Sequence, residues 1–172
     1  IETYFSYFGY DVYPFGYEKH YAGTARLIEG DPSTDILTKS RAVPDMLIYD
    51  RDKSESFLIE VKTSGGKNPS QYWMEQECFD NYRHQWPNTY LVVYLVPSGK
   101  ICCSRITDIR YYRRGFLLNR PEPGYYFNLD GFLDLPDAFC KIDRRQYDEL
   151  RQQIHMVLET FDVTRRETDT RK

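Results

Sequence analysis

The sequence predicts an α/β fold, a mixed central sheet flanked by helices with a further helix at the C-terminal end, and three segments carry that expectation. Thr89 to Val96 is an unbroken β-branched and aromatic run, which fits a strand buried on both faces. Pro44 to Asp50 and Phe57 to Thr63 are apolar runs joined by the polar connector Arg51-Asp52-Lys53-Ser54-Glu55, the pattern of a hairpin. Asp143 to Phe161 places Tyr147, Leu150, Ile154, Val157, Leu158 and Phe161 at helical spacing behind an aspartate cap.

The other segments follow in chain order. Glu2 to Phe8, with Tyr4, Phe5, Tyr7 and Phe8 ahead of Gly9, reads as the last turns of a helix closed by a glycine, with a start expected before Ile1. Asp11 to Phe15 reads as a short strand that Pro14 confines to an edge or an end. Ala22 to Ala42 lacks periodicity and is expected to be a loop. Beyond Gly65-Gly66, the polar Lys67-Asn68-Pro69-Ser70 introduces a helix expected over Gln71 to Gln85, which Pro87 ends. Ser98-Gly99 turns the Thr89 strand into another over Lys100 to Ile106. Arg110 to Gly131 mixes Tyr, Arg, Pro and Gly and carries no clear element. The charged tail Thr164 to Lys172 has no apolar residue and is expected to be disordered.

A chain of 172 residues is long enough for one core, so residues 1–163 are expected to form a single domain. Its longest apolar run, Leu91 to Val96, is too short to cross a bilayer, and no basic, apolar, small-residue leader opens the chain. A cytoplasmic protein, or a nuclear one in a eukaryote, is expected, rather than a secreted or membrane-bound one. The cysteines Cys78, Cys102, Cys103 and Cys140 offer neither a CxxC pair nor zinc-finger spacing, so free thiols are expected. Adjacent Cys102 and Cys103 point to opposite faces of a strand, and only one of them is expected to meet the core. A net charge of −3 and a pI near 5.7 exclude a grip on nucleic acid through the overall field. Any such grip must be local.

Asp45 and Glu60 carry the chemistry. Hydrolysis of a phosphodiester needs a divalent cation, and hard cations take oxygen ligands, so two carboxylates must converge. Asp45 begins one strand and Glu60 lies toward the end of the next, and a hairpin sets those ends side by side. Along a strand Glu60 and Lys62 share a face while Val61 turns away, leaving its carbonyl free to ligate. Phe57-Leu58-Ile59 ahead of them make ionised groups costly unless paired or bound to a cation. An ion pair on the wet face of an edge strand would give the same letters.

Pro44-Asp45 followed by Glu60-Val61-Lys62, on a strand pair trailed by a helix and a further strand pair, resembles the PD-(D/E)XK nuclease superfamily over Glu2 to Ile109. The resemblance implies a restriction-endonuclease-like αβββαβ core and Mg²⁺- or Mn²⁺-dependent phosphodiester hydrolysis. It implies Asp45, Glu60 and the Val61 carbonyl as metal ligands and Lys62 as the catalytic lysine. Many members add a polar residue from the following helix, for which Gln76, with Tyr82 on the same helix, is preferred over Gln71. Many also add a glutamate from the first helix, a place held by Glu2, with Glu18 as the alternative. For substrate contact the densest positive stretch is Arg110-Tyr111-Tyr112-Arg113-Arg114, whose arginines suit phosphates and whose tyrosines suit bases. Lys19, His20, Arg26, Lys39 and Arg41 precede the motif and are further candidates.

The function expected from these residues is a metal-dependent endonuclease acting on DNA, alone, as a homodimer or within a larger multidomain protein. A non-catalytic nucleic-acid-binding or assembly module of the same fold is the first alternative. An RNA endonuclease of the cap-snatching type, with His20 as an added ligand, is the second.

Overall fold

The computed structural model describes residues 1–14, 43–65, 70–116 and 122–169. In chain order they form α1 (Glu2–Tyr7), β1 (Asp11–Pro14), β2 (Met46–Asp50), β3 (Glu55–Ser64), β4 (Gln71–Glu75) and α2 (Gln76–Gln85). There follow β5 (Thr89–Leu95), β6 (Lys100–Arg105), β7 (Tyr111–Phe116), β8 (Pro123–Asn128), a 3-10 turn at Leu129–Gly131, β9 (Leu133–Asp134), α3 (Leu135–Ala138) and α4 (Arg144–Asp169). The principal sheet has the order β1-β2-β3-β5-β6-β9, and a second sheet has the order β4-β8-β7. All pairings in the principal sheet are antiparallel except β3 with β5, which run parallel across α2.

The principal sheet is covered on both faces, and β5 shows why it reads as a continuous apolar run. Tyr90 and Val92 pack with Ile48, Ile59 and Cys103 against Phe5 of α1, Leu135 of α3 and Tyr147 of α4. Leu91, Val93 and Leu95 pack with Cys102 on the other face against Phe79 and Tyr82 of α2 and Met74, Tyr125 and Phe127 of the second sheet. Full burial of side chains this size contributes roughly 1.5–3 kcal/mol each. Cys102 and Cys103 do point to opposite faces, yet both are buried, because neither face of β6 is wet. The expectation that only one would meet the core assumed a single covered face.

α1 ends as its sequence predicts. Gly9 has φ +79°, Gly9 N–H donates to the Ser6 carbonyl and Tyr10 N–H to that of Phe5, the paired bonds of a Schellman cap. β1 lies at the sheet edge, with Pro14 opposite Met46 at its last position. The loop expected over Ala22 to Ala42 falls outside the described residues.

Three elements differ from expectation. Gln71 to Glu75 forms a strand and the helix begins only at Gln76. Tyr72, Trp73 and Met74 pair with Phe127, Tyr126 and Tyr125, a partner strand about 50 residues away that no local propensity reveals. The unassigned stretch Arg110 to Gly131 supplies that partner and its neighbour β7. α4 continues to Asp169, beyond the expected end at Phe161 and through most of the tail expected to be disordered. Arg165, Arg166 and Glu167 are good helix formers, so propensity alone extends it.

The β2–β3 turn is held from below. Asp50, buried at the end of β2, accepts N–H bonds from Asp52 and Lys53 at 3.0 and 3.4 Å. Lys141, between α3 and α4, places Nζ 2.8 Å from both the Asp50 and the Asp52 carboxylates. The hydrogen bond from Lys141 and those turn amides hold the Asp50 carboxyl below its ordinary value. A depressed carboxylate contributes stability above its unfolded pKa and loses it as pH falls through the folded one. Urea unfolding should therefore show Lys141→Met less stable than the parent at neutral pH, with the gap narrowing as pH falls below the ordinary carboxylate value of about 3.9. A gap independent of pH would contradict this role for Asp50.

Candidate metal centre

The β2–β3 register places the chemistry. Met46 lies opposite Ile59, so Asp45, one residue outside β2, comes against Glu60 and Val61. Its Oδ2 accepts the Val61 N–H at 2.8 Å, which fixes one carboxylate oxygen and leaves Oδ1 for another partner. Pro44, buried beside it, has no N–H to satisfy at this point.

Alternation along β3 then divides its side chains. Ile59 and Val61 turn toward the α1 and α4 face. Glu60 and Lys62 turn toward α2, opposite Leu91 and Val93 of β5, both fully buried. β3 lies between β2 and β5, so the edge-strand ion pair that would give the same letters does not apply. The Glu60 side chain is only 3% exposed and pairs with Lys62 Nζ, whose side chain keeps 33% of its surface. Glu60 is closed in, and Lys62 reaches out.

Burial pushes the Glu60 carboxyl above its ordinary value; Lys62 opposes that shift, the nearby Asp45 charge adds to it, and a hydrogen bond from the Tyr82 hydroxyl opposes it. For Lys62, burial is the largest single influence and acts downward. The charge and hydrogen bond of Glu60, aided by Tyr72 and Cys78, outweigh it, and the ammonium is held above its ordinary range. Lys62 thus stands as a proton-bearing cation rather than a ready base. Burial and then Glu60 push the Tyr82 hydroxyl far upward, so it stays a neutral donor. Burial pushes the Cys78 thiol up to about 11, against the pull of Lys62, which keeps a soft thiolate out of the site. The donors offered are oxygens, the set a hard cation prefers.

Glu2 stands at the start of α1. With Ile1, Thr3, Asp45, Met46 and Val61 it lines an open cleft of about 410 Å³, so the expected first-helix glutamate does come to the side of Asp45. Among the described residues no three His, Cys, Asp or Glu side chains converge tightly enough to cage an ion. Mg²⁺ does not require such a cage, because it retains several waters and commonly takes one or two protein carboxylates. Asp45, Glu60 and the Val61 carbonyl fit that demand.

Gln76 is placed elsewhere. As the first residue of α2 it lines a second cavity, about 390 Å³, with Glu75, Glu77, Asp80, Asn81, Glu122 and Pro123. Among the described residues its buried Oε1 has no hydrogen-bond partner, and no described contact joins it to Asp45, Glu60 or Lys62. α2 contributes Tyr82 and Cys78 to the site instead. Gln71, the runner-up, is exposed on β4, whereas its neighbour Tyr72 lies beside Lys62. Tyr72 was legible only as part of an aromatic run, and that run reads as a strand once its partner is known.

Arg110, Tyr111, Tyr112 and Arg114 lie on or just before β7, in the second sheet rather than on the hairpin of Asp45 and Glu60. Arg110 and Arg114 are exposed. Tyr111 stacks on Tyr125 at 4.1 Å, and Tyr112 stands beside a bulge with 52% of its surface open. The Arg113 side chain, and Glu18, Lys19, His20, Arg26, Lys39 and Arg41, fall outside the described residues.

Removing one member of a buried pair strands the other. In urea unfolding without divalent cations, Lys62→Met should cost about 3 kcal/mol, and Glu60→Gln/Lys62→Met should recover most of that loss. Additive losses in the double variant would show that the two groups do not compensate one another.

No protein-family model matches the chain, and neither does any curated protein. Among solved structures, a nuclease from a fusselovirus is similar over 88% of this chain and 80% of its own, at 13% identity and a TM-score of 0.37. A likeness that distant carries no functional conclusion.

Proposed function

We propose that the chain is a metal-dependent nuclease of the PD-(D/E)XK type that hydrolyses phosphodiester bonds in DNA, with Mg²⁺ or Mn²⁺ held by Asp45, Glu60 and the Val61 carbonyl. One observation carries the reading: a buried, protonation-shifted Glu60 beside Lys62 in the middle of a sheet, with Asp45 pinned next to them by the Val61 amide. Groups perturbed by burial together with a specific charge partner are candidates for a working site. The order α1, β1, β2, β3, α2, β5, with β5 parallel to β3, supports a restriction-endonuclease-like αβββαβ core, into which β4 is inserted. Residues 1–163 read as its single domain.

The chain's own residues divide the work. Asp45, oriented by the Val61 N–H on Oδ2, presents its other carboxylate oxygen, which bonds no described residue. Tyr82 donates to Glu60 and holds its carboxylate in place against the apolar strands. Lys62 offers a positive charge at the mouth of the site, where a scissile phosphate would be neutralised and an attacking water oriented. A cation bound there supplies charge neutralisation on the phosphate and lowers the pKa of the attacking water.

Purified protein should nick plasmid DNA with Mg²⁺ or Mn²⁺ and not in EDTA. Asp45→Asn and Lys62→Met should each lose at least about 100-fold in rate. Tyr82→Phe should lose about tenfold, since it removes one donor to Glu60 and leaves the carboxylate in place. Matched RNA and DNA strands run side by side decide between the two substrates. Cleavage in EDTA, or full activity of both Asp45→Asn and Lys62→Met, would overturn the reading, and binding without cleavage would favour the inert module.

A further inference from the structure

The Glu60 carboxylate has partners before any cation reaches it. Lys62 Nζ pairs with its Oε1, and the Tyr82 hydroxyl donates to the same group. Among the described residues no three His, Cys, Asp or Glu side chains converge to cage an ion, so a cation gathers few protein oxygens and depends on each of them. The oxygen that Lys62 holds is one of those few. It cannot serve both: an ammonium and a divalent cation within ~4 Å of one another repel strongly where water is scarce.

The two members of the pair differ in their freedom. The Glu60 side chain is 3% exposed and lies opposite fully buried Leu91, so it stays where β3 puts it. The Lys62 side chain keeps 33% of its surface, on a flexible four-carbon stem rooted in the strand. Its ammonium can leave Glu60 for solvent by rotation about that stem, with no change in the backbone. Tyr82 is a neutral donor, has no charge to be repelled, and remains on Glu60. Asp45 is held separately, by the Val61 N–H at 2.8 Å. Exchange of Lys62 for a cation thus moves one side chain.

Charge gives the exchange a direction. The Glu60–Lys62 ion pair beside the Asp45 carboxylate leaves the site with one net negative charge, which favours entry of a divalent cation. Once the cation is in, the site carries one net positive charge, and the surplus resides on an ammonium pushed toward the mouth. A phosphodiester, with its single negative charge, is the ligand that restores neutrality there.

We infer that Lys62 is an internal competitor for the metal centre: it occupies Glu60 until a divalent cation displaces it, and the released ammonium then stands at the mouth to meet the substrate phosphate. The lysine is thereby withdrawn whenever the cation is absent. The inference rests on the nuclease reading, and its test is read on the lysine and on cation affinity rather than on cleavage.

Acetylation by an N-hydroxysuccinimide ester, resolved residue by residue by mass spectrometry, follows Lys62 in the parent with and without Mn²⁺, with exposed Lys53 as the internal reference. Saturating Mn²⁺ should speed labelling of Lys62 at least about fivefold and leave Lys53 unchanged. In Glu60→Gln the ion pair is absent, so Lys62 should label at the faster rate without the cation. Lys62→Met should bind Mn²⁺ about tenfold tighter than the parent in calorimetry, in mildly alkaline buffer where no proton takes the ammonium's place. Should that variant fail to fold, the labelling of the parent decides alone. Unchanged Lys62 labelling in a parent that binds Mn²⁺, or binding by folded Lys62→Met no tighter than the parent's, would overturn the inference and leave the nuclease reading standing. A parent that binds no Mn²⁺ would overturn both.

Discussion

Everything that makes this chain a candidate enzyme depends on placing Glu60, an acid, inside a strand flanked by two others. β3 sits between β2 and β5, and Ile59, Leu91 and Val93 around Glu60 are fully buried. A carboxylate there is costly, and the structure answers with two compensations: the Lys62 ammonium and the Tyr82 hydroxyl. A purely structural strand would do better with an apolar residue of similar size, as replacements of buried ion pairs have shown in other proteins. Retaining the charge makes sense where the charge does chemistry.

The neighbouring parts follow from that constraint. Glu60 must approach a second acid, and the tight β2–β3 turn, fixed by Asp50 and Lys141, sets the register that brings Asp45 there. Lys62 must remain beside Glu60 and still reach solvent, which its long side chain permits. Tyr82 must arrive from above, so α2 has to pack on this face. The second sheet then closes the remaining side through Tyr72, Met74 and Phe127, and its outward face is left to aromatic side chains.

Much of this was legible in the sequence. The hairpin, the doubly buried strand Thr89 to Leu95, the glycine-closed first helix and the Asp45, Glu60, Lys62 set can all be read from alternation, turn residues and spacing, because they depend on near neighbours in the chain. The position of Glu2 followed from the superfamily resemblance and not from any local signal. β4 was misread as helix because Tyr72, Trp73 and Met74 owe their strand character to Tyr125, Tyr126 and Phe127, far along the chain. Of the two α2 residues that the motif suggested, Tyr82 meets Glu60, with Cys78 nearby, while Gln76 in the first turn lines the second cavity, a division that residue type alone does not reveal. The burial of both Cys102 and Cys103 likewise required knowing that the second sheet covers a face that would otherwise be wet.

Calorimetric titration of Mn²⁺ into the parent and into Glu60→Gln, which keeps the volume and replaces one carboxylate oxygen by an uncharged NH2 group, tests the central claim most directly. The account predicts binding by the parent at or below about millimolar cation, and binding at least about tenfold weaker in Glu60→Gln. Identical isotherms for the two proteins, or no heat from the parent at millimolar cation, would contradict it.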